Sequence, residues 1–221
     1  IEGTFGLYTA TVGYKFAKRH AAFAGFRYAG GLKLKGSNML GEPTKEYKPY
    51  DWTIDFGYAY MIGKGFSAYA MGNIIFSHLS KNANGGAFTV GASYQNNDMT
   101  IANKPANFMV DAKVAAIGPK LDYGNGYKAS MPTYVAVGGA LSVDMADKHQ
   151  VGAALSTRYF FQPSESKVFM VGGGLEYTYN NMVSVRAGYE YGDHNLSHFT
   201  MGAGVKYRGL RINGAYMLKT V

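Results

Sequence analysis

The chain has 221 residues, no cysteine, a formal net charge of +8 and 15% aromatic residues, with 19 Tyr and 13 Phe against one Trp. The lack of cysteine excludes a disulfide framework, a cysteine-ligated metal and a thiol nucleophile. The longest runs free of Asp, Glu, Lys and Arg, 65–80 and 82–97, have 16 residues and contain Gly, Asn and Ser. A spanning helix needs about 20 mostly apolar residues, so if this chain crosses a membrane it does so as a closed barrel.

Side-chain alternation predicts about twelve strands, near 4–16, 20–33, 50–62, 65–78, 86–95, 105–116, 132–144, 149–160, 167–179, 182–192, 197–207 and 210–218. No segment has a helical period. Several strands run to ten residues or more, longer than the usual five or six of a soluble sheet and suited to a tilted bilayer crossing. The connections alternate in length. "AKRH", "GKG", "MADKH", "YNN" and "RG" are short, while "LKGSNMLGEPTKEYKPY", "LSKNANGG" and "IGPKLDYGNGYKASM" are long, and "FQPSES" and "GDHNL" are longer than their neighbours. The stretch after Tyr94 is intermediate. A soluble sandwich has no reason to sort its loops by end, whereas an outer-membrane barrel has tight periplasmic turns and larger external loops.

The two faces of each strand identify the solvent. One face of 50–62 carries Trp52, Ile54, Phe56, Tyr58, Tyr60 and Ile62, and one face of 132–144 carries Val135, Val137, Leu141 and Val143. The opposite faces carry isolated charges among Gly, Ala and Ser: Asp55, Asp111, Lys113, Asp144, Arg158, Glu176, Arg186, Glu190, Lys206 and Arg211. A face meeting bulk water would be richer in Lys and Glu, so these residues are the candidate lining of a crowded lumen. Aromatic residues gather near strand ends (Tyr14 and Phe16, Tyr159 to Phe161, Tyr177 and Tyr179), as girdles at the membrane–water boundaries would. The expected fold is an all-β transmembrane antiparallel barrel forming a single domain over 1–221. The first strand leads into a short turn and the last follows one. With an even strand number and both termini periplasmic, twelve strands imply one more at each end, fourteen in all. Ile1 is not an initiator Met, so the chain reads as mature or trimmed.

Four constellations carry possible chemistry. Glu176 and Arg186 flank the "YNN" turn on one face, as a charged constriction or as a structural ion pair; the ion pair is the simpler reading. Asp193, His194 and His198 have a His-x3-His spacing, but on a loop entering a strand they need not converge on a metal, and neither an oxyanion hole nor a nucleophile elbow accompanies Ser197. "GGGLEY" and "GAGVK" lie inside strands with no helix to follow, which excludes a phosphate loop. The basic turns (Lys15, Lys18, Arg19 and His20; Lys148 and His149; Arg208 and Arg211) suit lipid phosphates, an acidic partner or plain solvation. No nucleic-acid-binding motif accompanies them. No enzyme activity, cofactor or metal is expected.

The order of sequence blocks resembles a known family. "GFRYAGGLKLKG", then "GEPTKEYKPYDWTIDFGYAYMIGKGFSAYAMGNIIFSHLS", then "AIGPKLDYGNG" with "MPTYVAVGGAL", then "GGGLEYTYNNMVSVRAGYEYGD" with "FTMGAGVKYRGLRINGAYM" are similar to the PorV/PorQ outer-membrane proteins of type IX secretion in Bacteroidota, closer to PorV. The resemblance implies a fourteen-stranded, FadL-like barrel in the outer membrane. It also implies a role in export: binding the signal domain of secreted cargo and passing it from a translocon barrel to the surface attachment complex. The long loops would present backbone edges and aromatic side chains to such a partner, with Glu42, Pro43, Tyr47, Tyr50, Tyr123 and Tyr127 as candidate contacts and membrane lipid or lipopolysaccharide around the wall. Two rival readings share the scaffold: a FadL-like transporter of hydrophobic small molecules, which needs an apolar lumen pocket, and a structural accessory barrel of another envelope assembly.

Overall fold

The computed structural model describes residues 4–37, 43–124, 126–193, 196–208 and 210–219. Among these there is no helix. The elements are β1 (Gly6–Phe16), β2 (His20–Gly30), β3 (Leu34–Ser37), β4 (Pro43–Tyr47), β5 (Tyr50–Gly63), β6 (Phe66–His78), β7 (Asn82–Ile101) and β8 (Lys104–Ile117). They continue with β9 (Leu121–Asp122), β10 (Lys128–Ala129), β11 (Tyr134–Ala146), β12 (His149–Phe160), β13 (Val168–Tyr179), β14 (Val183–Gly192), β15 (His198–Tyr207) and β16 (Leu210–Lys219). Twelve of them form one sheet in the order β1-β2-β5-β6-β7-β8-β11-β12-β13-β14-β15-β16, so each long strand neighbours the next long strand in sequence. The four short elements pair as β3 with β4 and β9 with β10, inside two of the long connections.

Turn chemistry sets the tight connections. Ala17, Lys64, Ala102, Asn103, Asn180, Asn181 and Arg208 have positive φ, and each lies between two successive long strands. Left-handed residues match the twist of a short hairpin to that of its strands. The connection after Tyr94, intermediate on sequence, is such a turn. β7 runs on to Ile101, far past the expected end near 95, and reverses through Ala102 and Asn103. The expected long loop at 79–86 is also shorter, because β7 begins at Asn82.

The exposure pattern is that of a sheet whose apolar face is turned outward. Val183, Val185, Tyr189 and Tyr191 of β14 are exposed, while Ser184, Arg186, Gly188 and Glu190 between them are less so. Leu175 of β13 is 65% exposed. The buried apolar residues among those described are few, mostly alanine: Ala83, Ala87, Ala106, Ala115, Leu121, Tyr123 and Met131. A water-soluble sandwich buries its large aliphatic and aromatic side chains between sheets; here they face out, where lipid hydrocarbon replaces a protein core.

The chain divides into two compact units, one drawn from 1–61, 68–90 and 115–133, the other from 62–67, 91–114 and 134–221. In the first, Leu121, Tyr123 and Met131 pack on Ala83 and Ala87 of β7, with Ile75 and Ala129 at the margin. The small residues of β7 make this possible: a Cβ on Gly85 would stand 2.5 Å from Leu121 Cδ2. The chain enters this arrangement at Ala116, whose φ is +55°. Two buried threonines secure the bend, Thr89 Oγ1 accepting from the Ala116 N–H at 3.3 Å and Thr133 Oγ1 donating to the Ala116 carbonyl at 2.9 Å. In the second unit β11 to β16 pair in unbroken antiparallel register apart from one irregularity between Asp144 and Ala146.

Candidate functional site

Strand parity decides which side chains meet. In the first unit Gly25 pairs with Asp55 and Arg27 with Thr53, so Arg27, Thr53 and Asp55 share one face. Asp55 is 7% exposed and holds Arg27 in a fork, Nε to Oδ2 at 2.7 Å and Nη2 to Oδ1 at 2.8 Å. Asn73 Nδ2 adds a third donor at 2.6 Å. A carboxylate this enclosed needs such donors, because an unpaired buried charge is costly. Nearby, the Tyr123 hydroxyl donates to Ser77 Oγ at 2.5 Å, and the Ser77 hydroxyl donates to Asp51. In the same unit an open apolar pocket of about 810 Å³ is lined by Phe23, Met71, Ile117 and Pro119 and by Phe56 and Phe88, whose rings lie on the exposed apolar face of their strands.

The second unit holds a more polar cavity of about 620 Å³, with Asn107, Ser156, Glu176, Arg186, Glu190 and His198 in its lining. Glu176 and Arg186 are register partners, and Arg186 Nη2 meets Glu176 Oε2 at 2.9 Å. The same Nη2 donates to Ser184 Oγ at 3.1 Å, while Nε is buried without a hydrogen-bond partner among the described residues. Arg158 is paired with Glu190, and His198 Nε2 lies 3.9 Å from the second Glu190 oxygen. Lys206 and Arg211, register partners on β15 and β16, border a cleft of about 50 Å³ together with Glu176 and Thr178. Lys113 lies 5.9 Å from the Tyr134 ring centroid, and Asp111 is partly buried two residues before it. Asp144 accepts from Gln150 Nε2 at 2.8 Å.

The candidate loop contacts separate. Glu42 lies outside the described residues, and Pro43 opens β4. Tyr47 and Tyr127 are exposed. Tyr50 is also exposed, but its ring stacks on Tyr28 and His78 at the end of its strand, at 6.2 and 5.0 Å. Tyr123 corrects the expectation. It is 9% exposed, because the segment carrying it folds onto β7 and its hydroxyl bonds Ser77. It packs the interior of its unit instead of presenting a ring to a partner. Of the suspected metal group, His194 lies outside the described residues. Asp193 Oδ2 accepts from the Phe169 N–H at 2.9 Å, His198 Nδ1 contacts the Leu196 carbonyl, and no metal-holding cluster occurs among the described residues.

Sequence reasoning overlooked Arg27, Asn73 and the Ser77–Tyr123 pair. Arg27 was legible, since it shares its strand face with Phe23 and Gly25 and that face lies beside Asp55. The Ser77–Tyr123 contact spans 46 residues and follows from how the 118–133 segment folds, which no local pattern encodes.

An all-β chain that exposes one apolar face of its long strands and holds the pairs Arg27–Asp55, Arg158–Glu190 and Glu176–Arg186 on the other belongs to the class of outer-membrane barrels, and comparison with solved structures agrees. The chain is similar to the toluene transporter TbuX of Ralstonia pickettii, with TM-score 0.59 and 14% identity over 96% of this chain and 75% of that one. It is likewise similar to the toluene transporter TodX of Pseudomonas putida, with TM-score 0.54 and 14% identity over 96% of this chain and 80% of that one. The fold is therefore the all-β outer-membrane barrel of the FadL type. No protein-family model matches the sequence, and no curated protein matches it either.

Proposed function

We propose that this chain carries small hydrophobic molecules across the outer membrane. The observation that carries the reading is the open apolar pocket of the first unit, about 810 Å³ and lined largely by aromatic and aliphatic side chains, Phe56 and Phe88 among them from the exposed strand face. Small-molecule sites have volumes of about 300–1,000 Å³ and linings of this character. The fold shared with two toluene transporters supports the same reading. A monoaromatic hydrocarbon is small enough for the cavity and asks nothing of it beyond apolar contact. The Glu176–Arg186 and Arg158–Glu190 pairs of the second unit do not oppose this, since each carboxylate there is engaged by a guanidinium.

Export of signal-bearing cargo rests on the order of sequence blocks, and the burial of Tyr123 removes one of the surface rings that reading would use. The test is uptake of labelled toluene by cells that lack other hydrocarbon channels and express this protein folded in the outer membrane. Uptake above that of cells without it is expected, and Met71→Trp, which fills the cavity, returns uptake toward background. Uptake equal to background, with a large translocon barrel copurifying, transfers the assignment to secretion.

A further inference from the structure

Two tight turns build the same constellation from distant parts of the chain. Ala17-Lys18-Arg19-His20 and Ala146-Asp147-Lys148-His149 each end in a histidine that opens a strand. His20 is the register partner of Tyr60, and His149 that of Tyr179. In each case Nδ1 bonds the hydroxyl of the tyrosine two residues earlier on that neighbour, Tyr58 at 2.5 Å and Tyr177 at 2.6 Å. The ring partners agree too: His20 lies 5.0 Å from Tyr60 and His149 5.3 Å from Tyr179, between centroids. By parity these histidines and tyrosines stand on the outward, lipid-facing side. A Tyr hydroxyl donating to Nδ1 leaves Nε2 as the N–H, a donor for an oxygen beyond the aromatic belt.

The charge around the two frames differs. Lys18 and Arg19 are exposed, neither is in an ion pair among the described residues, and residues 4–19 contain no acid. At the second turn Asp147 adjoins Lys148, and Lys104 is held there by the Met145 carbonyl at 2.5 Å. We infer that the first turn is a docking surface for the headgroup of an anionic phospholipid. Lys18 and Arg19 meet the phosphate, the His20 imidazole donates to it, and Phe16 and Tyr60 lie along the first carbons of the acyl chains. Tyrosine rings belong at this depth because their bodies are apolar and their hydroxyls polar. The lipid is a phospholipid and not lipopolysaccharide, because tight turns lie at the periplasmic end of such barrels, where the inner leaflet is. The second turn keeps the aromatic frame but sets an acid, Asp147, beside its lysine, and serves as an internal comparison.

The experiment is native mass spectrometry of the whole chain in neutral detergent, titrated separately with phosphatidylglycerol, phosphatidylethanolamine and lipopolysaccharide, with folding of each variant checked by heat-modifiable gel mobility. Wild type retains phosphatidylglycerol about tenfold or more over phosphatidylethanolamine, the scale expected of two surface cations near an anionic headgroup. Lys18→Gln with Arg19→Gln abolishes that preference, His20→Phe lowers it while keeping the ring packing, and Lys148→Gln leaves it unchanged. Equal retention of the two phospholipids, a preference that survives the double substitution, or displacement of phosphatidylglycerol by lipopolysaccharide at equal phosphate overturns the assignment.

Discussion

Glu176 and Arg186 sit opposite one another on β13 and β14, and their side chains meet at 2.9 Å on the inward face. A three-residue turn between alternating strands dictates that juxtaposition, so the contact follows from register alone. Both side chains remain partly exposed, 37% for Arg186 and 43% for Glu176, so water screens the pair. Each single neutralisation is expected to cost about 0.2–1 kcal/mol, with Arg186→Met above Glu176→Gln because Arg186 also bonds Ser184. The double variant loses less than the sum of the singles, as read from urea midpoints of the folded band; strict additivity would mean that the two charges do not interact.

Tyr123 tests whether the 118–133 segment is held by its hydrogen bond or by its packing. Tyr123→Phe keeps the ring and removes the donor to Ser77, so stability falls by about 0.5–1.5 kcal/mol. Tyr123→Ala also forfeits the contacts with Ala83, Ala87, Leu121 and Met131, and about 3–5 kcal/mol is expected, as for other large aromatic truncations. Equal losses from the two substitutions would assign the whole effect to the hydroxyl.

Two glycines at the same segment make opposite demands on their surroundings. A Cβ on Gly118 would run into the Gly86 carbonyl oxygen and the Ala87 backbone, which cannot move without disturbing β7. Gly118→Ala is therefore expected to destabilise by about 1–3 kcal/mol. A Cβ on Gly85 meets only the tip of Leu121, which can rotate away, so Gly85→Ala costs less than Gly118→Ala. Chemical denaturation of the two variants side by side orders them, and the reverse order would contradict the backbone contact.

Asp122 gives the segment a pH response. The Gly124 N–H donates to its carboxylate at 2.8 Å and Lys128 Nζ lies 3.2 Å away, and these contacts, the backbone bond first, hold its pKa below the ordinary carboxylate value. A carboxyl with a lowered folded-state pKa contributes stability above its unfolded value and loses it as the pH falls through the folded one. Protection of the Gly124 and Tyr127 amides, measured against their intrinsic exchange rates, is therefore expected to fall as the pH drops below about 4, and Asp122→Asn is expected to remove that dependence. Exchange with the same acid profile in Asp122→Asn would place the titrating group elsewhere.

Alternation alone placed the twelve long strands within a few residues, with β7 the main exception, because the Gln95–Ile101 stretch is polar and masks its own period. It also assigned the faces, since a period of two ties Trp52, Val137 and Tyr189 to one side and Asp55, Arg186 and Glu190 to the other. Pairings across tight turns, such as Glu176 with Arg186, followed because a short turn fixes the register. Tertiary structure decided what a long connection does. Ala116 turns the chain inward, small residues on β7 leave room, and Leu121, Tyr123 and Met131 become the largest buried apolar side chains of the first unit, although nothing in residues 118–133 read apart from the fold distinguishes them from an exposed loop. Local periodicity records which solvent a side chain faces within its own strand; where a connection lands depends on cavities formed by strands far away in sequence, and only the assembled fold contains them.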